Sequence, residues 1–234
     1  MIKFCNYEWI PKERWGEVHP DKPYVWYDKD SIIQHSDTEI SLLSKYKPKF
    51  FESINKTSQV SVGLISCTEK FSYGKFDLEA QLPDNPYSWP AFWMWSWSDW
   101  PPEIDVFEGY SDKRGRYDLP WYTKLFKNIF YKVESNVHIK DKDNKWNIGA
   151  KSHFFGYKDP RKSFNKYSVI WTPRKIEFYY NDTLVRKIND VKTLQLVNGH
   201  KMNVVINNGC YSYHKSHLSK VGEMKIKNFK YTKL

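Results

Sequence analysis

The chain has 234 residues, of which 40% are hydrophobic and 18% aromatic, enough apolar side chains for one sizeable core. No apolar run approaches the roughly 20 residues that cross a bilayer, so the sequence excludes a membrane-spanning helix. Lys and Arg number 37 against 27 Asp and Glu, a net charge of +10 that favours polyanionic partners, although a solvated basic surface accounts for these scattered cations equally well.

The N-terminal stretch MIKFCNYEWIPKERWGEVHP is interrupted by charges and prolines every few residues. It lacks the apolar segment of a secretory signal, so we expect that an export signal is absent or was removed, and the cellular location stays open. The three cysteines are an odd number without metal-ligand spacing, which predicts buried core residues rather than a disulfide framework. They are Cys5, Cys67 and Cys210.

The first clear strand lies at residues 75–82. Apolar residues alternate there with polar ones, the period of two that a half-buried β-strand requires. The apolar positions are Phe76, Leu78, Ala80 and Leu82.

A tryptophan-rich segment, YSWPAFWMWSWSDWPP, follows. Five indoles are more than a core needs, and aromatic faces stack well on the C–H faces of sugar rings. Ordinary core packing is still the expectation for Trp89 and Trp97. The others are Trp93, Trp95 and Trp100.

Three carboxylates come next, in EIDVFE. In a regular strand Glu103 and Asp105 share one face, whereas Glu108 has the wrong parity. A β-bulge near Val106 and Phe107 would return Glu108 to the face of the other two acids. Two carboxyls about 5–5.5 Å apart suit glycosidic bond cleavage with retention of configuration, one attacking and the other donating a proton. A solvent-facing acidic edge is the competing interpretation.

Further strands are predicted downstream. Asn181-Asp182 is typical of a hairpin turn, because both residues tolerate positive φ. No convincing amphipathic helix of ordinary length occurs, so the pattern predicts an all-β fold, a jelly-roll β-sandwich of two antiparallel sheets. No linker or repeat divides the chain, which predicts one domain over residues 1–234. The apolar residues of these predicted strands are Tyr167, Val169, Trp171, Ile176, Phe178, Tyr180, Leu184, Val185, Met202, Val204 and Ile206.

From Gly63 onward the chain resembles glycoside hydrolase family 16, the jelly-roll endo-glycanases that include laminarinases, agarases, porphyranases and carrageenases. The matching segments are GLISCTEKFSYGKFDLEAQLP, WPAFWM, EIDVFE as the bulged E-x-D-x-x-E signature, and SVIWTPRKIEFYYNDTLVRK, in the expected order. The resemblance implies a concanavalin A-like sandwich whose concave sheet carries a substrate cleft. It also implies a retaining endo-glycosidase acting on a β-linked polysaccharide.

Carried over by position, the resemblance implies that Glu103 is the nucleophile, Glu108 the general acid/base and Asp105 the residue that orients the nucleophile. His138 lies where many relatives of the bulged branch carry a His that could hydrogen-bond the sugar or tune Glu108, and a core or surface histidine is an equal alternative. Asn207 resembles a cleft-facing Asn, although Asn before Gly is also an ordinary turn pair.

The chain departs from the family pattern in SWSDWPP before Glu103. Pro101 and Pro102 stiffen the entry to the strand and remove two backbone donors. We predict that the tryptophans stacking in the cleft are Trp93, Trp95 and Trp100.

A basic loop follows Glu108, and guanidinium groups pair well with sulfate or carboxylate oxygens. We therefore predict that Arg114 and Arg116 read an acidic substituent on a sulfated or otherwise anionic galactan. A neutral β-glucan such as laminarin is the competing substrate, and a solvated basic loop is the competing interpretation of the arginines.

Other functions are weaker. A non-catalytic carbohydrate-binding protein would share the fold and the tryptophans but has no evident use for the three acids together. Acids on the aromatic surface would repel nucleic acid. The sequence does not separate hydrolysis from transglycosylation. We expect a monomer with no cofactor; His214 and His217 form a surface pair rather than a metal site, and no Asp-rich loop provides for the structural calcium known in the family.

Overall fold

The computed structural model describes residues 1–19, 22–85, 88–109, 132–140, 146–148, 151–154, 159–210 and 220–234. Short strands dominate these residues. In chain order they are β1 (Ile2–Phe4), β2 (Tyr7–Ile10), β3 (Val25–Tyr27), β4 (Ile32–Ser36), β5 (Glu39–Phe51), β6 (Lys56–Val62), β7 (Leu64–Phe71), β8 (Gly74–Gln81), β9 (Ser88–Trp95), β10 (Glu103–Glu108), β11 (Lys132–Lys140), β12 (Trp146–Ile148), β13 (Lys151–Phe154), β14 (Asn165–Thr172), β15 (Lys175–Tyr180), β16 (Thr183–Ile188), β17 (Met202–Cys210) and β18 (Gly222–Thr232).

The strands form two nine-stranded sheets. The first runs β1-β2-β7-β17-β9-β10-β11-β12, with β13 also paired to β11. The second runs β16-β15-β14-β8-β18-β5-β6-β3, with β4 also paired to β5. Strands that follow each other in the chain, such as β7 and β8, often lie in different sheets, as in a jelly roll. The predicted all-β sandwich is confirmed.

The core lies between the sheets. Phe107 of the first sheet packs against Tyr167 of the second, with ring centroids 4.5 Å apart. Each such buried side chain contributes on the order of 1.5–3 kcal/mol. The largest fully buried side chains include Trp9, Phe76, Phe92, Trp171 and Phe178. The cysteines are buried, as predicted: Cys5, Cys67 and Cys210.

The predicted strand periodicities are confirmed. Phe76, Leu78 and Ala80 of β8 are fully buried between half-exposed polar neighbours. Asn181 and Asp182 join β15 to β16 with φ values of 47° and 63°. Beyond that turn, Leu184 faces solvent at 47% exposure, because β16 is the edge strand of its sheet.

One α-helix, α1 (Val191–Val197), occurs among the described residues, beside two 3-10 turns at Lys29–Ser31 and Glu52–Ile54. Asp190 caps α1 by accepting the backbone N–H of Thr193 at 2.8 Å. With only seven residues and two buried positions, it is too short for a periodic signal. None of the helices in the described part of the chain is long and apolar enough to span a membrane.

Candidate active site

Strand β10 carries the three acids on the outer face of the first sheet. Its pairing with β9 shifts register between Asp105 and Phe107, and its pairing with β11 shifts between Asp105 and Glu108. The predicted bulge therefore lies where the sequence placed it, and the buried Tyr180 hydroxyl donates to the Val106 carbonyl inside it at 2.9 Å. The apolar residues of the strand are fully buried: Ile104, Val106 and Phe107.

Strand β11 connects the acids. Glu103 lies opposite His138 in the register, and Asp105 lies opposite Asn136. The His138 Nε2 atom is 3.2 Å from Asp105 Oδ2 and 3.6 Å from Glu103 Oε1. Asn136 Nδ2 lies 3.1 Å from the same Nε2 and donates to Glu108 Oε1 at 3.3 Å. All three carboxyls therefore share one face, as the bulge requires.

Glu103 is held by an indole. The Trp100 Nε1 group donates to Glu103 Oε2 at 2.7 Å, while the Glu103 side chain is 15% exposed. Burial raises the pKa of Glu103 well above its usual range, and the charge of Asp105 raises it further, against His138 and Trp100, which lower it.

Asp105 is more deeply buried, at 2% exposure. Its burial, followed by the charge of Glu108, raises the pKa of Asp105 well above the usual range, and a hydrogen bond with Glu103 opposes this. Two adjacent buried carboxyls with raised pKa values hold a proton more tightly than free carboxyls do.

Glu108 has two donors of its own. Trp89 Nε1 donates to Glu108 Oε2 at 3.3 Å, and Asn136 Nδ2 holds the other oxygen. The sequence assigned Trp89 to the core and did not single out Asn136. Asn136 lies two residues before His138. Because residues two apart in a strand share a face, the position of His138 on β11 could have identified Asn136.

The remaining predicted tryptophans lie in two different settings. Trp93 is half-buried, and its Nε1 donates to Asn207 Oδ1 at 2.7 Å, which brings the predicted Asn207 to the same face. Trp95 is only 2% exposed, because Trp15 and Arg14 cover it. Its ring faces are not available to a sugar, so the predicted stacking role of Trp95 is wrong.

Positive charge near the three acids comes partly from residues outside the predicted basic loop. Arg114 and Arg116 lie outside the described residues. Among the described residues, the positive charges of the exposed Lys22 and of Arg186 lower the pKa of Asp105. A cation therefore accompanies the acids on the side of the N-terminal segment.

The acids and the histidine could also hold a metal ion. Glu103, Asp105 and His138 each offer one ligand atom, all within 4.8 Å of one another. His138 Nε2 already lies within contact distance of both carboxyls, and Trp100 occupies the second oxygen of Glu103. Hydrogen bonding and proton sharing account for this cluster, and we assign no metal to it.

We predict that Asp105→Asn stabilises the fold at neutral pH. A carboxyl whose pKa is raised in the folded state makes the protein less stable as the pH rises. The loss begins near the pKa of the unfolded chain, about 4, and continues up to the pKa of the folded state. The asparagine has no such penalty. The Tm of the variant, measured at several pH values, should exceed that of the wild type above about pH 4 and match it below.

Asp84→Asn is the matched control, since Asp84 is an exposed carboxyl that pairs with Arg161 and Lys220. Losing such surface ion pairs costs at most about 1 kcal/mol and should not raise the Tm. If Asp105→Asn were less stable than the wild type at every pH, the raised pKa of Asp105 would be contradicted.

Known proteins share both sequence and fold with the chain. The sequence profile of glycosyl hydrolases family 16 matches residues 21–210. The endo-1,3-1,4-beta-glycanase EglC of Rhizobium meliloti (strain 1021) is 23% identical over 78% of this chain and 37% of its own length. The keratan-sulfate endo-1,4-beta-galactosidase of Sphingobacterium multivorum is 28% identical over 52% of this chain and 26% of its own length.

Among solved structures, the laminarinase catalytic domain of Thermotoga maritima MSB8 superposes with a TM-score of 0.67, at 18% identity. The superposition covers 88% of this chain and 83% of that one. Both curated relatives are much longer than the part that this chain matches.

Proposed function

The chain belongs to glycosyl hydrolase family 16, and from that premise we propose that it is a retaining endo-glycosidase that cleaves a β-linked polysaccharide, acting as a single catalytic domain over residues 1–234. The observation that carries the proposal is the bulged strand β10. It places Glu103, Asp105 and Glu108 on one face, with separate donors for the two glutamates.

Glu103 is the proposed nucleophile. The Trp100 N–H donates to Glu103 and favours its ionised form, and the more buried Asp105, hydrogen-bonded to Glu103, orients it. The free carboxylate oxygen attacks the anomeric carbon while the bond to the leaving oxygen breaks. A covalent glycosyl-enzyme ester results.

Glu108 is the proposed acid and base. It donates its proton to the leaving oxygen in the first step and takes a proton from water in the second. Water then displaces Glu103 at the anomeric carbon, so configuration is retained. Trp89 and Asn136 orient the Glu108 carboxyl, and the double displacement uses carboxyl groups alone, without a cofactor.

We propose that the substrate is an anionic galactan. The net charge of +10, the exposed Lys22 near Asp105 and the similarity to a keratan-sulfate galactosidase support it. We also propose that the protein is a monomer. A β-glucan is the second candidate, supported by the longer match to a relative named as a β-glycanase.

A substrate panel tests the proposal. We expect oligosaccharide products from porphyran, agarose or a carrageenan, with turnover that falls as salt shortens the Debye length from about 30 Å at 0.01 M to about 8 Å at 0.15 M. Arg114→Ala and Arg116→Ala should each raise KM roughly tenfold, the scale of one hydrogen bond to a charged group.

Arg174→Ala is the control, an exposed arginine in the turn between β14 and β15. Release of oligosaccharides from laminarin or mixed-linkage glucan alone, indifferent to salt, would replace the galactan with the glucan. No release from any polymer would contradict the hydrolase.

A further inference from the structure

Residues 11–19 pass over the outer face of the first sheet, and they bring a carboxyl into an apolar layer there. Glu13 is 1% exposed. Its Oε1 atom accepts from the Ser66 hydroxyl on β7 at 2.6 Å. Its Oε2 atom has no hydrogen-bond partner, and no cation forms a salt bridge with it among the described residues. Burying a carboxyl in this way is costly, so a structural need alone is a poor explanation for it.

A buried donor on β9, the indole N–H of Trp95, also lacks a hydrogen-bond partner, like Glu13 Oε2. This indole N–H favours the ionised form of Glu13, which lowers the pKa of that carboxyl. The Trp95 ring is enclosed on its faces. Trp93 stacks on it at 5.8 Å with an interplanar angle of 23°, and the Arg14 guanidinium lies 4.9 Å from its centroid.

Trp95 in turn lies beside the proposed nucleophile, since Trp95 and Glu103 are register partners on β9 and β10. Glu13, Trp95 and Glu103 therefore form a continuous row from the N-terminal segment to the acids. The charge of Glu103 raises the pKa of Glu13, so the two carboxyls interact across this row.

We propose that Glu13 is a positioning residue: its carboxyl holds the indole of Trp95, and through Trp95 it sets the wall of the substrate cleft beside Glu103 and beneath Trp93. The role in turnover rests on the proposed glycosidase function. The contact between Glu13 and Trp95 does not.

The contact responds to pH. Burial raises the pKa of Glu13 to about 7, although the Ser66 hydroxyl, the Arg14 backbone and the nearby Trp95 indole N–H each lower it. The charged or titratable groups that face it are Tyr27 on β3, Glu103 on β10 and the neighbouring Arg14. Above that pH the carboxylate binds the indole N–H by a charge-assisted hydrogen bond, and below it by a weaker neutral one.

Tryptophan fluorescence tests the contact without any substrate. We expect the wild-type emission to change with a midpoint near pH 7, the raised pKa of Glu13, and Glu13→Gln to lose that step. Ser66→Ala removes a donor that lowers the pKa of Glu13, so its midpoint should move upward. Glu17→Gln is the matched control in the same segment, because Glu17 is exposed and pairs with Lys49 at 2.8 Å.

Turnover gives the second readout. The ratio of wild-type to Glu13→Gln kcat/KM should rise roughly fivefold between about pH 6 and pH 8, the difference between a charged and a neutral hydrogen bond. For Glu17→Gln the ratio should stay constant.

Retention of the step in Glu13→Gln, or an unmoved midpoint in Ser66→Ala, would overturn the proposal. If Glu13→Gln does not fold, Ser66→Ala decides alone. If the wild type cleaves no glycan, the function fails while the fluorescence titration still decides whether Glu13 holds Trp95.

Discussion

Glu103→Gln should abolish glycan cleavage while leaving the fold and glycan binding intact. The amide cannot form the glycosyl ester, so kcat should fall by more than about 10⁴-fold, as when other covalent nucleophiles are removed. The Trp100 N–H can still donate to the Gln oxygen, so the local structure needs little rearrangement. Reducing ends released from the best polymer measure the effect, and affinity electrophoresis in the same polymer measures binding.

Glu8→Gln is the control for this change, because Glu8 is an exposed glutamate on β2, away from β10. It should keep wild-type turnover. Equal release of reducing ends by the wild type and Glu103→Gln, with binding retained in both, would instead favour a non-catalytic carbohydrate-binding protein.

Glu108→Gln should give a loss that depends on the leaving group. On a polysaccharide the leaving oxygen needs a proton, so kcat/KM should fall about 10²–10⁴-fold. On an aryl glycoside with a dinitrophenolate leaving group, which departs without protonation, the first step should be close to the wild-type rate. Burst kinetics of phenolate release would show the glycosyl-enzyme ester accumulating, because the second step still lacks its base.

The same loss on both substrates would contradict the acid role of Glu108. Asn136→Ala offers a graded comparison, since it removes one of the two donors to Glu108 and leaves Trp89. Its loss on the polysaccharide should be smaller than that of Glu108→Gln, because the carboxyl itself remains.

Local pattern predicted much of the fold. The alternation at Phe76, Leu78 and Ala80 required a strand with one buried face, and a strand is what the structure shows. Parity alone indicated the bulge, because Glu108 and the apolar residues before it cannot be placed correctly in a regular strand. Such arguments work when the cause lies within a few residues.

Contacts between segments that are distant in the sequence could not be predicted from local pattern. Whether Trp95 is open to a sugar depends on Trp15, which covers it from a segment 80 positions earlier in the numbering. Trp89 looked like a core tryptophan until the register of β9 and β10 brought its N–H to Glu108. Glu13 carried no motif, and only its burial in the folded chain makes it a candidate.

In the proposed mechanism, Glu103 attacks the anomeric carbon and Glu108 protonates the leaving oxygen, both from the same face of one bulged strand. Proton NMR of the first product formed from the best polymer, recorded before mutarotation, measures the anomeric configuration of the new reducing end. Retention through a Glu103 ester predicts that the β-anomer appears first. If the α-anomer appeared first, water would have attacked directly, and Glu103 would not be the nucleophile.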